Sequence, residues 1–182
     1  MKKTLLQGGA VLMLLSLINI RANAQTPATT TSGNVPLKII LTDIVAITLG
    51  GTPDVTFTYN SEAAYAADQT VPKTGAFSVF SNKTYNVFVK ATSAFNVEAT
   101  NALPVPLDAV NVSVDASTPV TNGTYDNPSL SETNQALVTG AKPTLGTAYN
   151  INYKIPAAKA LLLLDKKAAT YSTNVVYTLT QQ

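Results

Sequence analysis

The strongest constraint on this chain is a series of short runs in which apolar and polar residues alternate. In the first run, residues 37–49, the apolar side chains that share one parity are Leu37, Ile39, Leu41, Val45, Ile47 and Leu49. Similar runs follow at residues 55–59, 75–81, 85–89, 95–99, 110–114, 135–139, 149–155 and 171–179. A period of two places alternate side chains on one face of a β-strand. The pattern predicts an all-β fold, a single antiparallel β-sandwich of about nine strands.

Turn residues and prolines separate these runs. Gly50-Gly51 ends the first run, and Asn122-Gly123 lies between two later ones. We expect the prolines, Pro72 among them, to lie between strands, because a strand interior needs every backbone donor. The one helical signal is at residues 61–67, where Ser61 can cap one or two turns.

The first 24 residues have the three parts of a secretory signal. Met1-Lys2-Lys3 is a charged start, residues 5–18 are mostly apolar, and Ala22-Asn23-Ala24 is a small-residue cleavage site. We therefore divide the chain into a signal peptide (1–24), a flexible Thr/Ser-rich leader (25–36) and a β-sandwich domain (37–182). Cleavage near Ala24 predicts a protein that is secreted or displayed at the cell surface. No later segment reaches the roughly 20 apolar residues of a membrane span.

The part of the chain after the signal contains no Cys, His, Trp, Arg or Met. It therefore lacks the imidazole, thiolate and guanidinium groups that carry out much catalysis, metal binding and phosphate binding near neutral pH. Removing Lys2, Lys3 and Arg21 from the 12 basic residues leaves 9 lysines against 10 Asp and Glu residues. A near-neutral chain without clustered Lys and Arg is a poor partner for nucleic acid. The composition predicts a protein that is not an enzyme, holds no cofactor or metal, and binds no nucleic acid.

Two segments of the later half resemble known bacterial surface domains. Residues 171–180, Tyr-Ser-Thr-Asn-Val-Val-Tyr-Thr-Leu-Thr, resemble the last strand of WxL-type domains, with Tyr177 at the position of the Trp. Residues 130–138 and 149–153 are similar to the later half of secreted β-sandwich proteins with pilin-like or immunoglobulin-like folds. Short secreted proteins of Bacteroidetes-type bacteria, mostly without assigned function, share this likeness. The resemblance implies a pilin-like or immunoglobulin-like sandwich at a bacterial surface and, for the WxL likeness, binding to the cell wall.

Asp43 is the first candidate site residue. By alternation it lies on the same face as Leu41 and Val45, where a carboxylate is costly to bury unless it is paired or hydrogen-bonded. We interpret it as a candidate buried acid. In some of the immunoglobulin-like domains that the chain resembles, such an acid promotes a Lys–Asn isopeptide bond. The alternative is a β-bulge near Asp43 that turns its side chain to solvent.

Four consecutive leucines form the second candidate: Leu161, Leu162, Leu163 and Leu164. They cannot all face one core if they lie on a surface strand. One interpretation is a strand or plug buried in the core. The other is a subunit contact, with Lys159 and residues 165–167 as charged flanks that limit aggregation. A third candidate, the loop at residues 121–134, carries oxygen ligands suited to Ca²⁺, but its spacing fits no known calcium motif and favours a plain polar loop.

These observations lead to two functional hypotheses. The first is a non-catalytic exported structural protein, a subunit of an extracellular filament, fibre or surface coat, whose partner is a further copy of itself. It predicts an exposed apolar strand edge or patch, and residues 37–49 or the C-terminal strand are the better candidates for strand exchange because they alternate in polarity. The alternative is a module that binds cell-wall or other cell-surface polysaccharide, which predicts exposed tyrosines in a line or cleft.

Overall fold

A computed structural model describes residues 28–51, 54–118 and 122–182. The predicted signal peptide (1–24) and the start of the leader lie outside the described residues. The chain divides into two units, Met1–Ile39 and Ile40–Gln182. The described part of the first unit, residues 28–39, contains no helix or strand, and its side chains are exposed.

The described part of the second unit consists of short strands with two short helices. In chain order these are β1 (Val45–Leu49), α1 (Glu62–Ala66), β2 (Gln69–Ser81), β3 (Tyr85–Ala91), β4 (Asn96–Val97), β5 (Asn111–Val114), β6 (Thr124–Tyr125), β7 (Gln135–Ala141), β8 (Thr144–Ile155), α2 (Ala157–Ala160), β9 (Tyr171–Ser172) and β10 (Val175–Gln181). They pair antiparallel in three sheets, with the orders β1–β2–β8–β5, β10–β3–β7–β6 and β4–β9. The prediction of an all-β fold with antiparallel sheets is confirmed.

Side chains of the two four-stranded sheets meet in one hydrophobic core. Its fully buried members include Phe77, Val79, Tyr149 and Ile151 from the first sheet, and Tyr85, Val87, Val89 and Leu137 from the second. Two hydroxyl pairs join the sheets: the Oη atoms of Tyr85 and Tyr149 lie 2.8 Å apart, and those of Tyr153 and Tyr177 lie 2.5 Å apart. Each pair satisfies two hydroxyl groups that would be costly to bury alone.

The first strand is shorter than its alternation predicts. β1 covers only the end of the predicted run 37–49, and it pairs with the stretch of β2 from Phe77 to Ser81. Residues 54–60, which contain the predicted run 55–59, alternate between exposed and half-buried but belong to no strand. Alternation shows which side of an extended chain faces the core. It does not show whether a neighbouring strand is there to receive the backbone hydrogen bonds.

β2 bends at a bulge around Gly75. Between the rungs formed by Lys73 and Phe77, β2 contains more residues than its partner β8. Gly75 has a φ of 60°, a left-handed conformation that favours glycine. Its N–H donates to Asn150 Oδ1 at 2.8 Å, so the bulge is held from the neighbouring strand.

Pro72 lies inside β2, opposite Asn152 of β8. The prediction that prolines lie between strands is wrong at this position. Because β1 ends at Leu49, opposite Phe77, none of the described strands lies beside the outer edge of β2 near Pro72. An edge position needs no backbone donor, and proline is therefore tolerated there. This part of β2 forms an open edge of the sheet.

The helical segments are short. Ser61 caps α1 as predicted, because its Oγ accepts the N–H of Ala64 at 3.3 Å. α2 continues directly into a 3₁₀ turn at Leu161–Leu163. Among the described residues, no helix has the length and hydrophobicity needed to cross a membrane.

Candidate functional site

A groove with a volume of about 1190 Å³ opens beside the bulge in β2. Its apolar lining comes from the core and includes Val110, Leu130, Tyr153 and Ile155. Residues 54–57 and residues 73–76 of β2 also line it, as do residues 166–175 and Tyr177. The groove is thus bordered by residues of both four-stranded sheets, at a place where neither sheet continues.

Residues 54–60 run along the groove as an extended segment without strand partners, here called the unpaired segment. Val55, Phe57 and Tyr59 are half-buried and pack against the core, whereas the residues between them are exposed. Within the described ranges, the one hydrogen bond to its backbone is from Gln69 Nε2 to Thr58 O, at 3.1 Å. A stretch with the burial pattern of a strand therefore lacks the ladder of backbone bonds that normally accompanies it.

Tyr59 adds an unmet hydrogen-bonding group to the groove. Its hydroxyl is buried and has no hydrogen-bond partner in the described residues. Burial raises the pKa of Tyr59, and the nearby Tyr65 and Asp68 raise it further. A buried hydroxyl without a partner is uncommon, because its desolvation is not compensated. Tyr59 therefore leaves an unsatisfied hydroxyl behind the lining of the groove.

β10 borders the groove with a free edge. It is the outermost strand of its sheet and pairs only with β3 among the described strands, but its Gln181 end lies beside β1, so its free stretch is the one next to the groove. Val175 and Tyr177, at the start of β10, line the groove. The sequence of β10 contains neither proline nor a charged residue, the usual devices that keep an edge from pairing with another chain. The open edge of β2 differs, because it carries Pro72 and Lys73.

A second apolar surface lies at residues 35–41, here called the N-terminal apolar segment. Its larger apolar side chains are largely exposed: Val35 85%, Leu37 88%, Ile39 76%, Ile40 73% and Leu41 86%. A contiguous run of exposed aliphatic side chains is unusual on a folded domain. The first half of the strand predicted at residues 37–49 is not part of any strand in the described structure.

The chain is fixed to the end of the sheets immediately after this segment. Asn82 Nδ2 donates to Thr42 O at 2.7 Å, and Asn82 Oδ1 accepts from Ile44 N at 2.9 Å. Gln181 Nε2, at the end of β10, donates to Ile44 O at 2.7 Å. Residues 42–44 are therefore held beside the turn between β2 and β3.

Asp43 lies beside the turn between β2 and β3 and is not a buried acid. Its side chain is 60% exposed and forms an ion pair with Lys83 at 2.6 Å. The expectation from alternation is wrong because β1 begins only at Val45, so Asp43 precedes the strand and need not follow its inward parity. An acid in solvent does not provide the desolvated carboxyl on which the isopeptide interpretation depends.

The four leucines follow α2 and do not form a strand. Leu163 is half-buried against the core, but Leu161, Leu162 and Leu164 are 62%, 42% and 50% exposed. The interpretation as a buried strand is wrong, because the helical turn lets only one of the four side chains point inward. The interpretation as a subunit contact stays a prediction.

Ser129 and Lys159 are a nucleophile and an amine in contact. Lys159 Nζ donates to Ser129 Oγ at 2.8 Å, to Asn111 Oδ1 at 2.9 Å, and to Asp108 O. Lys159 Nζ thus lies within hydrogen-bond distance of oxygens from three separate parts of the chain. The contact therefore ties α2 to β5 and the residues beside it.

The loop proposed for Ca²⁺ contributes no cluster of carboxylates to the described structure. Asp115, which precedes this loop in the chain, accepts hydrogen bonds from Ser117 and from Asn152. These bonds lower the pKa of Asp115, and the bond from the Ser117 side chain has the largest effect. Within residues 28–51, 54–118 and 122–182, no group of three or more His, Cys, Asp or Glu side chains is arranged to hold a metal ion.

The sequence patterns gave no indication of the groove. Tyr153 and Tyr177 pack in the core, but both also line the groove, together with Tyr59, Tyr65 and Tyr171. The pattern at residues 55–59 marked the inward-facing side chains of the unpaired segment. Nothing in that pattern shows that a backbone partner is missing.

No protein-family model matches the chain, and no curated protein matches it either. The resemblance to WxL-type and pilin-like proteins stays a prediction. Function is therefore inferred from the geometry of the molecule.

Proposed function

We propose that this protein is a non-catalytic exported structural protein whose copies associate into an extracellular filament, fibre or surface coat. The observation that carries the proposal is the N-terminal apolar segment, whose five large aliphatic side chains are 73–88% exposed. Burying such side chains is favourable by about 1.5–3 kcal/mol each. A chain that leaves them in water gains most by covering them with a protein partner.

Self-association accounts for several surfaces together. The exposed leucines after α2 form a second apolar patch, and the free edge of β10 offers unpaired backbone groups. Ser129 and Lys159 support the non-catalytic part of the proposal, because the lysine is engaged in structural hydrogen bonds.

The test is the assembly state of the protein in its naturally processed, exported form. We expect size-exclusion chromatography with light scattering to show masses that grow with protein concentration, and negative-stain electron microscopy to show regular filaments or layers. A monodisperse monomer from about 1 to 500 μM, well beyond the affinity of an ordinary specific contact, would contradict the proposal.

A specific observation also favours the second candidate function, binding of a polysaccharide. Tyr59, Tyr65 and Tyr171 line the groove and are only partly buried, and aromatic faces pack on sugar rings. Lys73 and Lys166 also line the groove and suit an acidic sugar. A monomer that binds acidic polysaccharide, and loses that binding on Tyr171→Ala, would favour this function over assembly.

A further inference from the structure

The groove and the N-terminal apolar segment are the two unfilled features of the same chain. We propose that the segment of one copy adds as a strand to the free edge of β10 in a second copy and places alternate side chains in that copy's groove. This inference rests on the proposed function and deepens it, because it names the two surfaces through which the copies join.

The segment has the length and the pattern of such a strand. Seven residues, 35–41, span about 23 Å when extended at roughly 3.3 Å per residue. The unpaired segment that runs along the groove, residues 54–60, contains the same number of residues. In an extended chain, one face of the segment carries only aliphatic side chains: Val35, Leu37, Ile39 and Leu41. The other face is mixed, because it contains Pro36, Lys38 and Ile40, and it suits solvent. Pro36 lies near the start of the segment, where a strand tolerates a missing backbone donor.

The groove provides both apolar and hydrogen-bonding contacts for this strand. Val110, Leu130 and Ile155 offer apolar contacts to the aliphatic face. The free edge of β10 offers backbone donors and acceptors along a stretch without proline or charge. Pro72 makes the edge of β2 the poorer choice, because it cannot donate a backbone hydrogen bond.

The occupant is a second copy because residues 42–44 are tied far from the groove of their own chain. They are bonded to Asn82 and Gln181, where β1 begins opposite Ser81. β1 then runs through five residues, about 17 Å, before the chain reaches the groove at Leu49. A segment that precedes residue 42 meets the groove of a neighbour without reversing over β1. Because the segment and the groove are different surfaces, each copy can receive one neighbour and enter another, which generates an open filament.

Two adjacent isoleucines provide a matched pair of variants. Ile39 and Ile40 are 76% and 73% exposed, and they point to opposite faces of an extended segment. We expect Ile39→Asn to weaken association at least about tenfold, because it removes a buried aliphatic contact, and Ile40→Asn to change it less than threefold. Both positions are exposed in the single chain, so both variants should have the same midpoint of urea unfolding as the native protein. Equal effects of the two substitutions on association would overturn the proposed strand.

Cross-linking tests the second surface directly, because the chain has no cysteine of its own. One preparation carries Lys38→Cys on the outward face of the segment. A second carries Val176→Cys on the outward face of β10, and the control carries Thr124→Cys on the exposed strand β6. Cysteines on neighbouring strands can come within disulfide distance. After oxidation of each mixture, we expect covalent heterodimers with Val176→Cys at several times the yield obtained with Thr124→Cys.

The outcomes separate this inference from the proposed function. Assembly of the native protein without preferential cross-linking to Val176→Cys would overturn the strand addition but leave the structural role intact. A monomeric native protein would remove both. An internal disulfide in a monomeric chain that carries both Lys38→Cys and Val176→Cys would show that the segment fills its own groove, which also contradicts the proposal.

Discussion

Tyr85 allows the sharpest test of how the core is built. Its side chain is fully buried, and its hydroxyl shares a hydrogen bond with Tyr149 at 2.8 Å. Burial is the largest cause that raises the pKa of Tyr85 above the ordinary value near 10, and the hydrogen bond with Tyr149 adds to it. Burial raises the pKa of Tyr153 and of Tyr177 in the same way.

These raised pKa values make the protein sensitive to alkali. The native state keeps phenol protons that the unfolded chain releases above about pH 10. The stabilisation is therefore complete below pH 10 and is lost as the pH rises from there toward the raised pKa of each folded tyrosine. Each tyrosine lowers the free energy of unfolding by about 1.4 kcal/mol per pH unit in that range. Tyr85 and Tyr177 together give a slope of about 3 kcal/mol per pH unit, and the raised pKa values of Tyr59 and Tyr153 add to it.

Tyr85→Phe removes one of these contributions. We expect urea unfolding between about pH 10 and 12 to give a slope that is shallower by about 1.4 kcal/mol per pH unit. Near pH 7 the variant should lose about 1 kcal/mol, because the hydroxyl of Tyr149 loses its partner at residue 85. Val87→Ala, at another fully buried position of β3, is the control, because a cavity lowers stability equally at every pH. Equal slopes for Tyr85→Phe and the native protein would refute the reasoning.

Three further substitutions test the bulge, the lysine contact and an acid. Gly75→Ala should destabilise by about 1–2 kcal/mol because φ is 60° there, whereas Gly51→Ala, with open space around it, should leave the melting temperature nearly unchanged. Lys159→Met should cost about 1–3 kcal/mol in urea unfolding, because three oxygens lose their donor, and an unchanged midpoint would contradict the structural role of the contact. Asp115→Asn should lower the free energy of unfolding near pH 7. This loss relative to the native protein should shrink as the pH falls from about 3.9, the ordinary value for an aspartate, through the lowered pKa of Asp115. A difference that persists at pH 2 would show that the ionised carboxylate is not what matters.

The all-β fold could be predicted from the sequence because alternation reports burial, and burial of one face is what builds a sheet. Val87 and Val89, or Tyr149 and Ile151, alternate with exposed or half-buried neighbours and lie in the core as their parity requires. The cap at Ser61 was equally accessible to prediction, because capping depends on residues that are close in sequence.

The groove could not be predicted in the same way, because it depends on where pairing stops. Val55 and Phe57 show the same alternation as a paired strand, yet their backbone has no hydrogen-bond partner in the part of the chain that the structure describes. The misplacement of Asp43 has the same origin, since parity was extended across residues that precede the strand. Pro72 was a local signal of an open edge. It was interpreted as a strand boundary because proline is excluded from central strands, but an edge strand also tolerates it.

The edges of the two larger sheets are protected unequally, and the difference indicates which edge is used. The open edge of β2 carries Pro72 and a lysine, and the edge of β5 is covered by its bridge from Asn111 to Ser129 and by the Lys159 contact. β6 is only two residues long. β10 is seven residues long, lacks proline and charge, and adjoins an apolar groove. An unprotected edge of this kind invites addition of a strand from another chain. β1, at one edge of the other sheet, also lacks proline and charge, but it is only five residues long, and Ile44 just before it accepts a hydrogen bond from Gln181 of β10. The proposed strand addition therefore uses the longer of the two unprotected edges.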